Sequence, residues 1–269
     1  MRLQGLALTV LLMAAAPLVA QRPQTPPTTP TAQTAQPAAA DPLDGYLERW
    51  QKTMEQVQAL SAQIKRTEKD QTTDVEKHFT GFTKYLRVGA GATTQNLALL
   101  QMTPDGKKDF SERFVCSGAL LYEFRQSEKV VMAHELPKPR AGQVSDDNFL
   151  SFLFGMKKEE AQKRYDLKLT KTDQFYLYVD IQPRFAADKV DFKRAQIVLN
   201  KETMLPRRLW FESPNSTQVT WDVVQINSND KTIDRREFDA PTPPAGWKMT
   251  QAPKDADVTP RVARPSGGN

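Results

Sequence analysis

The residue types that most often carry chemistry are sparse in this chain. There are two histidines, His78 and His134, and one cysteine, Cys116, in 269 residues. Metal, nucleophilic and acid–base sites need such groups within hydrogen-bond reach of one another. Each histidine sits in a strand-like stretch, and no His, Cys or carboxylate set has metal-ligand spacing. No Gly-x-Ser-x-Gly elbow and no phosphate-cradling glycine loop is present. The pairs Asp146-Asp147 and Glu159-Glu160 fall where helices are expected to begin, and negative charge there favours the helix dipole. Cys116 lies inside a strand pattern and reads as a small buried hydrophobe; alone it can form no intramolecular disulfide. The sequon Asn215-Ser216-Thr217 coincides with a hairpin-turn signal and reads as that turn. These residues point to no enzyme, no cofactor and no metal.

What the chain offers instead is apolar surface. "FVCSGALLYEFRQSEKVVMAHELP", Phe114 to Pro137, reads as three short strands and two turns. Apolar residues occur at both parities, whereas a sheet with one solvated face would alternate strictly. A sheet that is apolar on both sides must cover both, and two helical stretches are available. The first starts at Asp41-Pro42, a capping residue and a proline suited to the first helical position. Leu43, Leu47, Trp50, Met54, Val57 and Leu60 then form one stripe at helical spacing. The second zone runs from Ser145 to Leu169. It packs Phe149, Leu150, Phe152, Leu153 and Phe154 into a stretch apolar almost all round, and a short polar helix, "KKEEAQKRY", follows.

The remainder alternates. "ALSAQIKRTEKD" and "EKHFTGFTKYLRV" are expected to pair, as are the stretches around "PDGKK". "DQFYLYVDIQP" and the three strands within 192–227 follow, and "FDAPTPPAGWKM" closes the fold as a proline-broken edge strand. The expected fold is mainly antiparallel β with added helices (α+β). About ten to eleven strands are too many for a flat sheet, so it should curl.

At the N-terminus, Arg2, the apolar run Leu6 to Ala16 and Ala20 make a secretory signal peptide over residues 1–20, with a run shorter than a membrane span needs. The protein is therefore expected to be periplasmic or otherwise extracytoplasmic. Residues 21–40 are a Pro/Thr/Gln/Ala linker, 41–250 the folded domain and 251–269 a tail of linker-like composition. The net charge of +5 is a mild excess suited to anionic surfaces such as lipid head groups. Basic residues form no stripe, which argues against nucleic acid.

In order and local wording the chain resembles the LolA-like family, periplasmic carriers of outer-membrane lipoproteins. "GFTKYLRV" resembles the family's Gly-x-x-x-aromatic-x-Arg strand. "VCSGALLYEFRQSEKVVMAHEL" resembles its hairpin, "NFLSFLFG" sits where the lid helices lie, and "IVLNKETMLPRRLWFESPNSTQVTWDVVQINSN" matches the return strands. The wording is closest to a divergent branch, over about Leu43 to Met249. The resemblance implies an unclosed half-barrel with helices over its concave face, and a lidded cavity for acyl chains. It implies ligand contacts from Trp50 and Met54, from Phe82 and Tyr85, and from Phe149, Phe152 and Leu153 of the lid. Arg87 matches the family's lid-holding arginine, although Val88 stands where proline usually follows. The implied protein is a monomeric carrier or chaperone for a lipoprotein or lipid-like ligand, passed between membrane donor and acceptor proteins. The alternative is an envelope-stress regulator that uses the same fold to bind a membrane-protein partner.

Overall fold

The computed structural model describes residues 42–107, 111–136, 157–186 and 188–253. The expected first helix is α1 (Pro42–Gln56). Its N-terminal proline fixes φ where no intrahelical donor is needed. Leu43, Leu47, Trp50 and Met54 share one face and are 2–4% exposed. Each such burial contributes roughly 1.5–3 kcal/mol, and this packing, more than propensity, stabilises a helix of this length. The stripe outlasts the helix: Val57 is buried just beyond it and Leu60 belongs to the first strand. Asp41, the expected cap, lies outside the described residues.

Six strands follow: β1 (Ala59–Asp70), β2 (Glu76–Val88), β3 (Gln95–Pro104), β4 (Glu112–Cys116), β5 (Leu120–Arg125) and β6 (Val130–Glu135). After α2 (Lys158–Arg164) come β7 (Tyr165–Thr172), β8 (Tyr176–Pro183), β9 (Arg194–Asn200), β10 (Pro206–Glu212), β11 (Thr217–Ser228) and β12 (Lys248–Gln251). All twelve form one sheet in the order β12-β6-β5-β4-β3-β2-β1-β11-β10-β9-β8-β7. Every pairing is antiparallel except the parallel match of β12 with β6. The outermost strands, β12 and β7, do not pair with each other, so the sheet is an unclosed half-barrel with helices.

The strand beyond the expected eleven is β7, in a stretch read as helical. The helix stops at Arg164 because Tyr165, Leu167 and Leu169 adopt strand alternation, with Tyr165 buried and the two leucines half-buried against β8. The polar helix ending there agrees with expectation, and Glu159 and Glu160 lie in its first turn. The helix expected over 145–154 and the pair Asp146-Asp147 lie outside the described residues.

Two cores lie on opposite faces of the sheet. On the inner face, α1 packs over β1, β2 and β7–β11, with Ile64, Leu177, Val179, Ile181, Ile197, Leu209 and Val219 beneath it. On the outer face, Leu97, Leu99, Val115, Tyr122, Val131 and Ala133 of β3–β6 form the second core. The chain between β11 and β12 closes this second core with Phe238, 1% exposed, and with Ile233 and Trp247.

Candidate ligand-binding face

The strands β3–β6 carry apolar side chains at both parities, and the two parities differ in burial. The outward set is the closed second core. The inward set is mixed: Ala98, Leu100, Phe114, Cys116, Val130 and Met132 are half-buried, while Met102, Leu121 and His134 are buried. Register joins these residues into rows across the strands. One row runs Tyr85, Ala98, Cys116, Leu121, His134, and the next Thr83, Leu100, Phe114, Glu123, Met132. Ala98 and Cys116 are small, so the first row dips between Tyr85 and Leu121. The surface is mainly apolar. Cys116 donates to the Asn96 carbonyl at 3.6 Å, and burial pushes its thiol pKa up, away from reactivity.

The Gly-x-x-x-Tyr-x-Arg phrase places three residues on this face. Gly81 has room for nothing larger: a Cβ there would lie 1.9 Å from the Gln101 carbonyl oxygen. The Tyr85 hydroxyl donates to Asn96 Oδ1 at 2.8 Å and accepts from Arg87 Nε at 3.1 Å. Burial pushes the Tyr85 hydroxyl pKa up. The Arg87 guanidinium donates to the carbonyls of Glu55 at 2.7 Å and Met54 at 3.4 Å. Both carbonyls lie at the C-terminus of α1, where the helix dipole favours a cation, and that of Met54 also accepts from the Val57 N–H. Arg87 therefore pins α1 to β2.

Sequence reasoning missed the most deeply buried charge of the site. Arg66 of β1 is 2% exposed, and its guanidinium reaches across the sheet to grip Glu112 of β4 at 2.8 and 2.9 Å. It lies over the Phe79 ring at 3.9 Å and near the Trp221 ring at 5.2 Å, both suitable for cation–π attraction. Its Nε is 2.9 Å from Glu68 Oε1, close enough for an ion pair although the N–H is not aligned on that oxygen. Desolvation raises the Glu68 pKa, against the pull of Arg66. The signal was legible: Leu60, Ala62, Ile64 and Arg66 share one parity, so the inward row of β1 runs straight into a charge.

At the other side of the face, His134 Nε2 lies 3.1 Å from Glu123 Oε2, which also accepts from Arg125 at 3.0 Å. Among the described residues there is no group of three or more His, Cys, Asp or Glu that could hold a metal ion.

The expected contact residues do not form one surface. Trp50, Met54 and Tyr85 come together in the inner core at 2–3% exposure. Phe82 does not join them. It is three positions from Tyr85, an odd step in a strand, and it packs against the outer core. Phe149, Phe152 and Leu153 lie outside the described residues. Leu100, Phe114, Leu121 and Met132 were not singled out, although they recur within the quoted hairpin and its partner strand.

No family model matches the chain, and no curated protein matches it. Among solved structures, it is similar to an uncharacterized conserved protein from Thermus thermophilus at 9% identity and a TM-score of 0.47, covering 79% of this chain and 100% of that one. It is similar to the Pseudomonas aeruginosa MucA/MucB complex at 10% identity and 0.41, covering 74% of this chain and 60% of that one. For a LolA superfamily protein from Nitrosomonas europaea the values are 10% and 0.33, covering 71% and 96%. Likeness of this degree says nothing of ligand or partner, which must be argued from this chain's own residues. LolA superfamily proteins are thus among the solved structures that this chain resembles.

Proposed function

We propose that this chain is an extracytoplasmic, non-catalytic carrier or chaperone that holds lipid-modified proteins or other hydrophobic ligands by an acyl chain on the inner face of β3–β6. One observation carries the reading. The outer face of these strands is closed by the chain's own Phe238, Ile233 and Trp247, while the inner face keeps Leu100, Phe114 and Met132 half-buried. Apolar surface left open beside a closed core has a use in binding. A buried methylene contributes about 0.8 kcal/mol, so a sixteen-carbon chain represents on the order of 12 kcal/mol against water. Such a cargo needs a shield between one membrane and the next.

In this reading Trp50, Met54 and Tyr85 are the wall where α1 meets the sheet, and Arg87 is the pin whose loss frees α1. Phe149, Phe152 and Leu153 serve as lid contacts on the strength of their sequence pattern. Among the described residues no helix is long and apolar enough to cross a membrane.

The test is native mass spectrometry of protein purified from its own host, followed by solvent extraction and titration with a fluorescent acyl peptide. Co-purified lipid or lipopeptide, and affinity lost in Phe114→Asp and Phe149→Asp, are the expected results. A clean apo mass with no uptake of acyl peptide would overturn the carrier reading.

A further inference from the structure

His134 ends the row that dips at Ala98 and Cys116, at the far side from Tyr85. Its side chain is 9% exposed. Its Nε2 faces the Glu123 carboxylate, and Arg125 holds that carboxylate from the other side. A carboxylate only accepts hydrogen bonds, so in the neutral ring it is Nε2 that carries the proton. Nδ1 of that neutral ring is a bare acceptor. It is fully buried and has no hydrogen-bond partner among the described residues. A buried polar atom left unpaired is costly, and natural structures rarely leave one without a use.

We infer that His134 Nδ1 is the polar recognition point of this face, accepting a hydrogen bond from an N–H or O–H donor that the ligand carries next to its acyl chain. The inference rests on the carrier reading and narrows its ligand class. An acyl chain joined through a secondary amide, or one ending in a hydroxyl, offers the donor; an ester or a tertiary amide offers none. The neighbours fit this arrangement. Leu121 faces His134 across the β5–β6 pair, Met132 lies two residues away on the same strand, and beyond Leu121 the small Cys116 and Ala98 give the chain room along the row. Glu123 acts as a positioning residue, since it fixes which ring nitrogen is free.

The test compares matched amphiphiles on the full protein: N-methyldodecanamide, N,N-dimethyldodecanamide, methyl dodecanoate and dodecanol, each displacing a fluorescent acyl probe. Wild type is expected to prefer the secondary over the tertiary amide by about tenfold, the size of one net hydrogen bond. Dodecanol against the ester separates a hydroxyl source from an amide source. His134→Phe is expected to keep the tertiary amide and ester while losing the preference, and Glu123→Gln to weaken it. Because the readout is a ratio within one protein, partial unfolding does not mimic it. Equal wild-type affinity for the two amides, or an unchanged ratio in His134→Phe, would overturn the inference while leaving the carrier reading intact. Failure of every amphiphile to bind would overturn both.

Discussion

At the scale of single residues, Arg66 decides most. A guanidinium at 2% exposure is tolerable only because two carboxylates and two aromatic faces replace its water. Arg66→Met removes the cation and leaves Glu68 and Glu112 facing each other. Breaking a buried pair costs about 3–5 kcal/mol, and the Glu112 side chain's 29% exposure places this one at the low end. Urea unfolding should show a lower midpoint at an unchanged slope. The same site predicts a pH dependence. The folded-state pKa of Glu68 is raised by desolvation. The folded protein therefore binds its proton more tightly than the unfolded chain does, so this group's contribution falls as pH rises above its ordinary value of 4.5. Glu68→Gln should remove this decline, so that stability varies less between pH 4.5 and neutrality. Residue-scale legibility was uneven. Tyr85 and Arg87 were readable because the motif places them two apart, on one face. Phe82 was misgrouped because an aromatic three positions away seems near in sequence and is opposite in a strand.

At the scale of elements, the chain from Asn229 to Trp247 is the least obvious part and closes a whole core. Its anchors are small and polar. Asp230 accepts from Ser61 Oγ at 2.5 Å and from Thr232, while Asp234 caps the turn of helix at Arg235–Phe238 and accepts from Arg236. Lys84 of β2 meets Glu237 at 2.5 Å. Hydrogen bonds to the charged carboxylates hold Asp230 and Asp234 down to a pKa of about 2. A lowered folded-state pKa means stability that is present above the ordinary value of 3.8 and lost as pH falls through about 2. Hydrogen-exchange protection at the Trp247 and Phe238 amides should therefore fall between pH 4 and 2 before the α1 core responds, and Asp230→Asn should weaken that transition, leaving the part due to Asp234. The sequence showed this stretch only as prolines and a Gly-Trp ending, because its single buried plug, Phe238, has no periodicity. It likewise hid β7, since "KKEEAQKRYDLKL" keeps helical spacing through Tyr165, and only pairing with β8 selects the strand. The hairpins β1–β2, β3–β4 and β5–β6 were legible because turn residues punctuate short strand-like runs.

At the scale of the whole molecule, an unclosed sheet has to leave two edges, and unpaired edges invite association. The β7 edge carries Lys168 and Lys171, exposed, with a register shift between Leu169 and Lys171 that spoils a straight template. The β12 edge is four exposed residues beginning with Lys248. Charge, a bulge and shortness are the devices that keep such edges apart. If the protein works as the carrier proposed above, they matter more here than in a closed barrel, because a carrier that opens its inner face cannot also stack edge to edge. The wild-type protein is expected to sediment as a monomer across the micromolar range. Lys168→Ile combined with Lys171→Ile should produce concentration-dependent association, with β7 amides newly protected from exchange. Both substitutions fall at exposed positions, so the inner core and acyl-probe binding of the residual monomer should be unchanged. Association of the wild type at the same concentrations would instead mean that β7 already serves as a pairing edge, and that its lysines select the partner and do not repel it.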